Sequence, residues 1–217
     1  MGTIILVRHG ESVANRDRHF AESGENPLTE LGLQQARELA PIVGSRFRPA
    51  RILSSAFLRA RQTAGILSDR LCLPVEVIEG IHERDFGSLK GLPYQHYWDM
   101  KRADPAYDPA RDWIWEPPDG ESREAVRVRV IAALELVAAR FAKEEVLVVC
   151  HGVVISSVFA HITGNWDEAP IPANCGLALL EHADGEFRGV TVLDGCAVTP
   201  SRQAESEASV TLRPHSQ

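Results

Sequence analysis

Two histidines follow directly on hydrophobic segments that are typical of buried strands. Arg8 and His9 come after the apolar run at residues 3–7, and His151 comes after a second apolar run at residues 146–150. A cation beside a histidine disfavours protonation of the imidazole, and the neutral ring is the form that attacks as a nucleophile or acts as a base. These positions therefore predict nucleophilic or acid–base chemistry. By itself, the first pair would equally suit an exposed histidine in a turn.

Two further segments carry groups that suit the same chemistry. Arg59 stands in the first turn of a predicted helix, where backbone N–H groups and the helix dipole favour anions. Its guanidinium can bind two phosphate oxygens at once. Glu83 lies in a charged loop after a predicted strand and could donate and then accept a proton. Each segment alone would also fit ordinary solvated charges, so the prediction depends on their combination.

The elements that must position these groups alternate between strands and helices. Continuous apolar runs favour strands that are buried on both faces of a parallel sheet. Helical periodicity is found at residues 29–43, 58–67, 122–142 and 153–162, and a hairpin is predicted at residues 177–193. The alternation predicts an α/β fold, a three-layer αβα sandwich around a mostly parallel, mixed sheet of about six strands. Ligands of such sheets bind beyond the carboxyl ends of the strands, where both histidines stand.

The predicted domain covers residues 1–196 and contains an inserted lid at about residues 88–120. That insertion is rich in glycine, proline, tryptophan and tyrosine, and its aromatic side chains could either select a ring-bearing leaving group or simply pack on the domain. Residues 197–217 have no clean periodicity and predict a mobile C-terminal tail. Within the tail, residues 210–212 have a strand-like pattern.

Composition excludes several other classes of protein. The 217 residues are 44% hydrophobic and 24% charged, which is typical of a globular domain. Lys and Arg number 23 against 30 Asp and Glu, and the net charge of −7 disfavours nucleic acid and anionic membrane as partners. No apolar run approaches the roughly 20 residues of a membrane helix, and no signal-type segment begins the chain. Four scattered cysteines form neither a disulfide framework nor a zinc motif, so we expect a cytoplasmic protein.

The candidate motifs also occur in an order that resembles a known family. They are Arg8-His9-Gly10-Glu11-Ser12, Pro27-Leu28-Thr29-Glu30-Leu31-Gly32, Leu58-Arg59-Ala60-Arg61-Gln62-Thr63-Ala64, Glu83-Arg84-Asp85-Phe86-Gly87, Gly120-Glu121-Ser122 and Cys150-His151-Gly152. Taken together, they closely resemble the histidine phosphatase superfamily, the phosphoglycerate mutase-like proteins. One such block is only suggestive, whereas the ordered set is highly specific.

The resemblance implies a two-step phosphoryl transfer that needs no metal or other cofactor. His9 would be the nucleophile that becomes phosphohistidine. Glu83 would protonate the leaving oxygen and then accept a proton from water. Arg8, Arg59 and His151 would surround the phosphoryl oxygens and stabilise their charge.

The resemblance also assigns secondary contacts with the phosphate to three polar residues, Ser12, Asn15 and Asn174. One position departs from the family pattern, because His19 stands where many relatives carry an arginine that binds the phosphate. Arg18, one position earlier, is a secondary candidate for that role. Arg16 could also substitute, or His19 itself could serve at lower pH.

The motifs do not by themselves separate a phosphatase from a mutase. Mutases of the family carry a Trp-Arg-Arg-like block for the substrate carboxylate, and the corresponding segment here has Lys101-Arg102 in a different context. The sequence therefore favours a phosphatase with a small phosphorylated substrate. Phosphoglycerate mutase-type transfer stays open as an alternative, as does a catalytically weak member that binds phospho-ligands or proteins. Whether the chain forms a homodimer is also left open.

Overall fold

Seven strands form one sheet in the residues that the computed structural model describes, which are 1–193 and the backbone of 208–211. They are β1 (Gly2–Arg8), β2 (Arg51–Ser54), β3 (Val75–Val77), β4 (Glu145–Cys150), β5 (Leu177–Ala183), β6 (Glu186–Leu193) and β7 (Ala208–Thr211). Their order is β3-β2-β4-β1-β5-β6-β7. The first four strands pair in parallel, and β5, β6 and β7 extend the sheet from β1 in antiparallel fashion.

The helices of the described residues fill the connections between the strands. They are α1 (Val13–Asp17), α2 (Glu30–Arg46), α3 (Leu58–Leu71), α4 (Gln95–Ala103), α5 (Arg123–Arg140) and α6 (Gly152–Thr163), with short 3₁₀ turns at Gly87–Leu89 and Pro109–Ile114. No helix in this part of the chain is long and apolar enough to cross a membrane.

The apolar runs of β1 and β4 are explained by helices on both faces of the sheet. Ile5 and Val7 face a core formed with α2 and α3, whereas Ile4 and Leu6 face a core formed with α5 and α6. All four side chains are fully buried, and each contributes roughly 1.5–3 kcal/mol to folding. The predicted mixed α/β sandwich is thereby confirmed.

Helix α2 extends further than its sequence suggested. Thr29 caps it by accepting a hydrogen bond from the Gly32 amide, and the helix continues past Pro41 to Arg46. Pro41 removes a backbone hydrogen bond and would by itself weaken the last turns. It lies on the exposed side of the helix, and the buried residues Leu39 and Val43 on either side of it hold those turns against the sheet.

The lid segment, defined as residues 88–120, leaves the sandwich between β3 and α5 and contains α4. Lys101 is buried there against the rings of Tyr97, Tyr107 and Trp115, and it pairs with Asp112. The boundary at residue 196 lies outside the described residues. So does the expected tail, with one exception: the backbone of residues 208–211 forms β7, which pairs with β6.

Candidate active site

Adjacent parallel strands bring the two histidines together. Arg8 at the end of β1 is in register with Cys150 at the end of β4, and the His9 amide donates to the Cys150 carbonyl at 3.1 Å. His9 and His151 are the next residues after these two strand ends, and the centroids of their rings lie 5.2 Å apart. Both side chains are buried. The sheet therefore places them side by side, as the strand pattern predicted.

Two hydrogen bonds set the orientation of the His9 ring. Its Nδ1 lies 2.7 Å from the Gly10 carbonyl, so Nδ1 carries the proton and donates it there. Its Nε2 then keeps a lone pair, and it accepts a hydrogen bond from Nε of Arg59 at 3.1 Å. The unprotonated nitrogen thus faces a guanidinium that is suited to bind a phosphoryl group.

The surroundings keep both rings neutral. Burial, followed by the charges of Arg59 and Arg8, lowers the pKa of His9 well below its usual value, against a smaller opposing effect of the Gly10 carbonyl. Burial and Arg59 likewise lower the pKa of His151 well below its usual value. A neutral imidazole is the form that can act as a nucleophile or a base.

Three buried nitrogen atoms of this region have no hydrogen-bond partner in the described part of the protein: Nε of Arg8, Nη1 of Arg59 and Nδ1 of His151. A buried polar group that lacks a partner costs roughly 1–3 kcal/mol. Several such groups at one site indicate a place for an acceptor-rich ligand such as a phosphoryl group. Arg8 is otherwise held by its Nη1, which donates to the Pro172 carbonyl at 2.6 Å.

His151 occupies a different position from the other four expected catalytic residues. Arg8, His9, Arg59 and Glu83 line a cavity of about 800 Å³, whereas His151 is fully buried and is not part of its wall. Its Nε2 lies 2.8 Å from the hydroxyl of Ser55. His151 therefore packs behind His9 in the free protein.

The Glu83 carboxylate faces the same cavity as the two arginines. It is near enough to Arg8 and Arg59 to oppose the lowering of their pKa by burial. One of its oxygens accepts the amide hydrogen of Arg84 at 2.9 Å. A carboxyl group in this position can reach a leaving-group oxygen on a phosphoryl group that those arginines hold.

A partly buried arginine holds the loop that carries Glu83. Arg129 of α5 donates to the carbonyl oxygens of Gly80, His82 and Glu83 at 2.9, 2.8 and 3.2 Å. It also forms two 2.8 Å hydrogen bonds with the carboxylate of Glu121. No local sequence pattern marks this role, because Arg129 looks like any other charge on an amphipathic helix.

The secondary polar residues divide into two groups. Ser12 and Asn15 line the cavity, although Ser12 also caps α1. Asn174 does not line it, since its amide donates to the His9 carbonyl at 3.1 Å and to Oδ1 of Asn15 at 3.2 Å. Both amide hydrogens are thus engaged, and Asn174 supports the loop from outside the cavity wall.

Position 19, and not position 18, faces the cavity. Arg18 ends α1 in a left-handed conformation with an exposed side chain, and it is not part of the cavity wall. His19 lies in the wall, with Nδ1 2.5 Å from the Asp17 carbonyl. The structure therefore does not bring Arg18 to the site, and Arg16 is exposed and paired with Asp17.

Comparison with known proteins agrees with this geometry. Residues 4–195 match the family profile of the histidine phosphatase superfamily, branch 1. The chain belongs to this superfamily. The phosphatase or mutase class of enzyme expected from the motifs is thereby confirmed.

Relatives of this histidine phosphatase chain are named for several different phosphatase activities. It is 35% identical, over 74% of its length and 68% of the relative's, to a metal-independent phosphoserine phosphatase of Arabidopsis thaliana. It is 33% identical, over 76% and 80%, to an adenosylcobalamin/alpha-ribazole phosphatase of Escherichia coli. A mycobacterial glucosyl-3-phosphoglycerate phosphatase solved with VO3 superposes with a TM-score of 0.74 and 29% identity, over 88% of this chain and 96% of the other.

Proposed function

We propose that this protein hydrolyses phosphomonoesters through a phosphohistidine intermediate on His9. The observation that carries the proposal is the fixed orientation of the His9 ring. Its Nδ1 is held by the Gly10 carbonyl and its Nε2 faces Arg59 at 3.1 Å. A phosphoryl group bound by that guanidinium would lie against the nucleophilic nitrogen.

In the first step, Nε2 of His9 attacks phosphorus and the bond to the leaving oxygen breaks. Glu83 in its acid form gives a proton to that oxygen, so the alcohol leaves neutral. In the second step, Glu83 takes a proton from water while the water oxygen attacks phosphorus. The P–N bond then breaks, which releases inorganic phosphate and restores His9.

The cations stabilise the charge that spreads over the phosphoryl oxygens. Arg8 and Arg59 face the cavity, and their unpartnered Nε and Nη1 atoms are the donors for this task. Removing one well-placed donor from such a site typically reduces the rate by roughly 10²–10³. We include His151 in this proposal as a donor through Nδ1, which requires a small shift of the ring or of the phosphoryl group toward it.

Two observations favour hydrolysis over mutase-type transfer. The chain lacks the Trp-Arg-Arg-like block expected of mutases in the family. Relatives at 35% and 33% identity are named phosphatases. The proposed substrate is a small phosphorylated molecule of the cytoplasm.

Brief incubation with a ³²P-labelled phosphomonoester followed by quenching tests the mechanism. We expect protein-bound label that is stable to base and labile to acid, and none in His9→Ala. Label that persists in His9→Ala would overturn the role of His9. A protein that releases no phosphate from a broad panel at pH 5–8 would instead favour the phospho-ligand binding alternative. A parallel assay for conversion of 3-phosphoglycerate separates hydrolysis from mutase activity.

A further inference from the structure

The cavity is much larger than a phosphoryl group requires. Its volume of about 800 Å³ lies within the range of sites that enclose a whole organic ligand. The catalytic cations occupy one part of the wall. Aromatic and aliphatic side chains form much of the rest: Phe20, Phe57, Tyr94, Tyr97, Trp98 and Ile171.

Two of these side chains are unusually exposed for large hydrophobic residues. Trp98 is 53% exposed and Ile171 is 58% exposed, and both belong to the cavity wall. The Trp98 ring stands at 86° to that of Tyr97, with the centroids 5.2 Å apart, so the two rings meet edge to face. A ligand ring placed against these side chains would remove apolar surface from water.

The cations outside the catalytic cluster already have partners within the protein. Lys90 pairs with Asp85 at 2.7 Å, and Arg123 pairs with Asp112 at 3.1 Å. All three guanidinium nitrogens of Arg84 donate to the protein. These groups are therefore poorly available for a second anionic group on the substrate.

The acceptors of Arg84 are neutral, and its charge is stabilised by aromatic rings instead of by a carboxylate. Its nitrogens bond the Tyr97 hydroxyl and the carbonyls of Trp115 and Glu121 at 2.7–3.2 Å. Its guanidinium carbon also lies 5.4 and 5.5 Å from the ring centroids of Phe86 and Tyr97. Arg84 thus joins the lid segment to the Glu83 loop.

An acidic residue at the same cavity disfavours anionic leaving groups. Glu22 lines the cavity, is exposed and has no ion-pair partner among the described residues. A carboxylate on the substrate would be repelled by it. His82, also in the wall, has its pKa lowered by burial and by Arg129, so it contributes a neutral ring.

We infer that the preferred substrate is the phosphomonoester of an uncharged alcohol that carries a ring, and not a phosphorylated hydroxy acid. This inference rests on the proposed function, since it concerns the leaving group of that reaction. Hydrolysis breaks the P–O bond, and the ring-bearing alcohol leaves with the proton from Glu83. The ring would pack against Trp98 and Ile171 while Arg8 and Arg59 hold the phosphoryl group.

The test uses substrates whose leaving alcohols have similar acidity, so that differences in rate report on binding of the leaving group. Benzyl phosphate, ethyl phosphate, phosphoserine and 3-phosphoglycerate all release a primary alcohol that needs a proton to leave. We expect kcat/KM to be highest for benzyl phosphate, with the gain over ethyl phosphate mainly in KM. Trp98→Ala should reduce the benzyl-to-ethyl ratio of kcat/KM by roughly 3–10-fold, the loss expected for one aromatic contact.

Trp113→Ala is the matched control, because Trp113 lies in the same lid segment but is not part of the cavity wall. It should leave the benzyl-to-ethyl ratio unchanged. A higher kcat/KM for phosphoserine or 3-phosphoglycerate than for benzyl phosphate would overturn the inference, as would equal effects of the two tryptophan variants. Failure of the proposed function looks different, since no substrate would then release phosphate.

Discussion

Arg129 and Glu121 form a doubly hydrogen-bonded ion pair that fixes the loop carrying Glu83. The pair joins α5 to the loop, since Arg129 donates to three loop carbonyls and Glu121 accepts the Asp85 amide at 2.9 Å. Proton transfer depends strongly on the placement of the acid, and a displacement of about 1 Å can cost on the order of 10²-fold in rate. Arg129 is thus a positioning residue for the proposed acid.

Arg129→Gln should slow the hydrolysis of alkyl phosphates by roughly 10–100-fold, because an alkoxide cannot leave readily without a proton. The hydrolysis of p-nitrophenyl phosphate should fall much less, since its leaving group needs no acid. Arg127→Gln is the control, because Arg127 lies on the same helix and pairs with Glu124 away from the loop. Equal losses for both kinds of leaving group would contradict a positioning role and indicate general destabilisation.

Stability should decline as the pH falls from about 6.5 toward 5. Burial and the charge of Arg59 lower the folded-state pKa of His9 and His151 well below 6.5, so in this window these two histidines take up protons more readily in the unfolded chain than in the folded protein. Each histidine then reduces the free energy of unfolding by up to about 1.4 kcal/mol per pH unit, and above about pH 7 the effect vanishes. Urea unfolding at pH 7.5, 6.0 and 5.0 measures this slope.

The variant His9→Gln provides the comparison for that titration. Between pH 5 and 6.5, its free energy of unfolding should fall less steeply with decreasing pH, by up to the contribution of one proton. Partly buried histidines with lowered pKa, such as His82, leave some slope in the variant. Carboxylates held by ion pairs, such as Glu121, contribute only at pH values near their ordinary pKa of 4.5 and below. A free energy of unfolding that is constant between pH 7.5 and 5 would contradict the neutral, buried state of the histidines.

Inorganic phosphate should stabilise the protein through Arg59. A ligand that binds only the folded state raises the melting temperature by mass action. The shift should be present in the unaltered protein and largely lost in Arg59→Met, which keeps the apolar stem. Arg61→Met should retain it, because Arg61 is exposed and forms a long ion pair with Glu25 at 3.6 Å. Retention of the full shift in Arg59→Met would show that phosphate binds elsewhere.

Two glycines allow the His9 loop to lie directly on the start of α2. A Cβ atom at Gly10 would lie 2.4 Å from the Gly32 carbonyl oxygen, and one at Gly32 would lie 2.0 Å from the Glu11 carbonyl oxygen. Both contacts are with backbone, so Gly32→Ala should destabilise the protein by about 1–3 kcal/mol and reduce kcat. Gly65→Ala in α3 meets no atom within 4 Å and should be stabilising by about 0.5–1 kcal/mol. Thermal unfolding and turnover of the two variants check this contrast.

The sequence predicts those parts of the fold and of the site that one local pattern determines. The continuous apolar runs of β1 and β4 require burial on both faces, and the parallel pairing of these strands brings His9 and His151 together. The role of Arg129 could not be predicted, because its partners are carbonyl groups distant in sequence, which leave no pattern. The sequence also could not separate Arg18 from His19, because the left-handed turn at residue 18 decides which side chain faces inward.

The position of β1 in the sheet also bears on how the chain is made. β1 is flanked by β4 and β5, so Ile4 must pair with Val146 on one side and with Leu180 on the other. Both partners leave the ribosome long after the strand that precedes His9, and such distant pairings form slowly. A nascent chain therefore holds an apolar strand with two open edges until Val146 has emerged, and with one open edge until Leu180 follows. The loop that carries His9 gains its place beside β4 only after more than 140 further residues have been made.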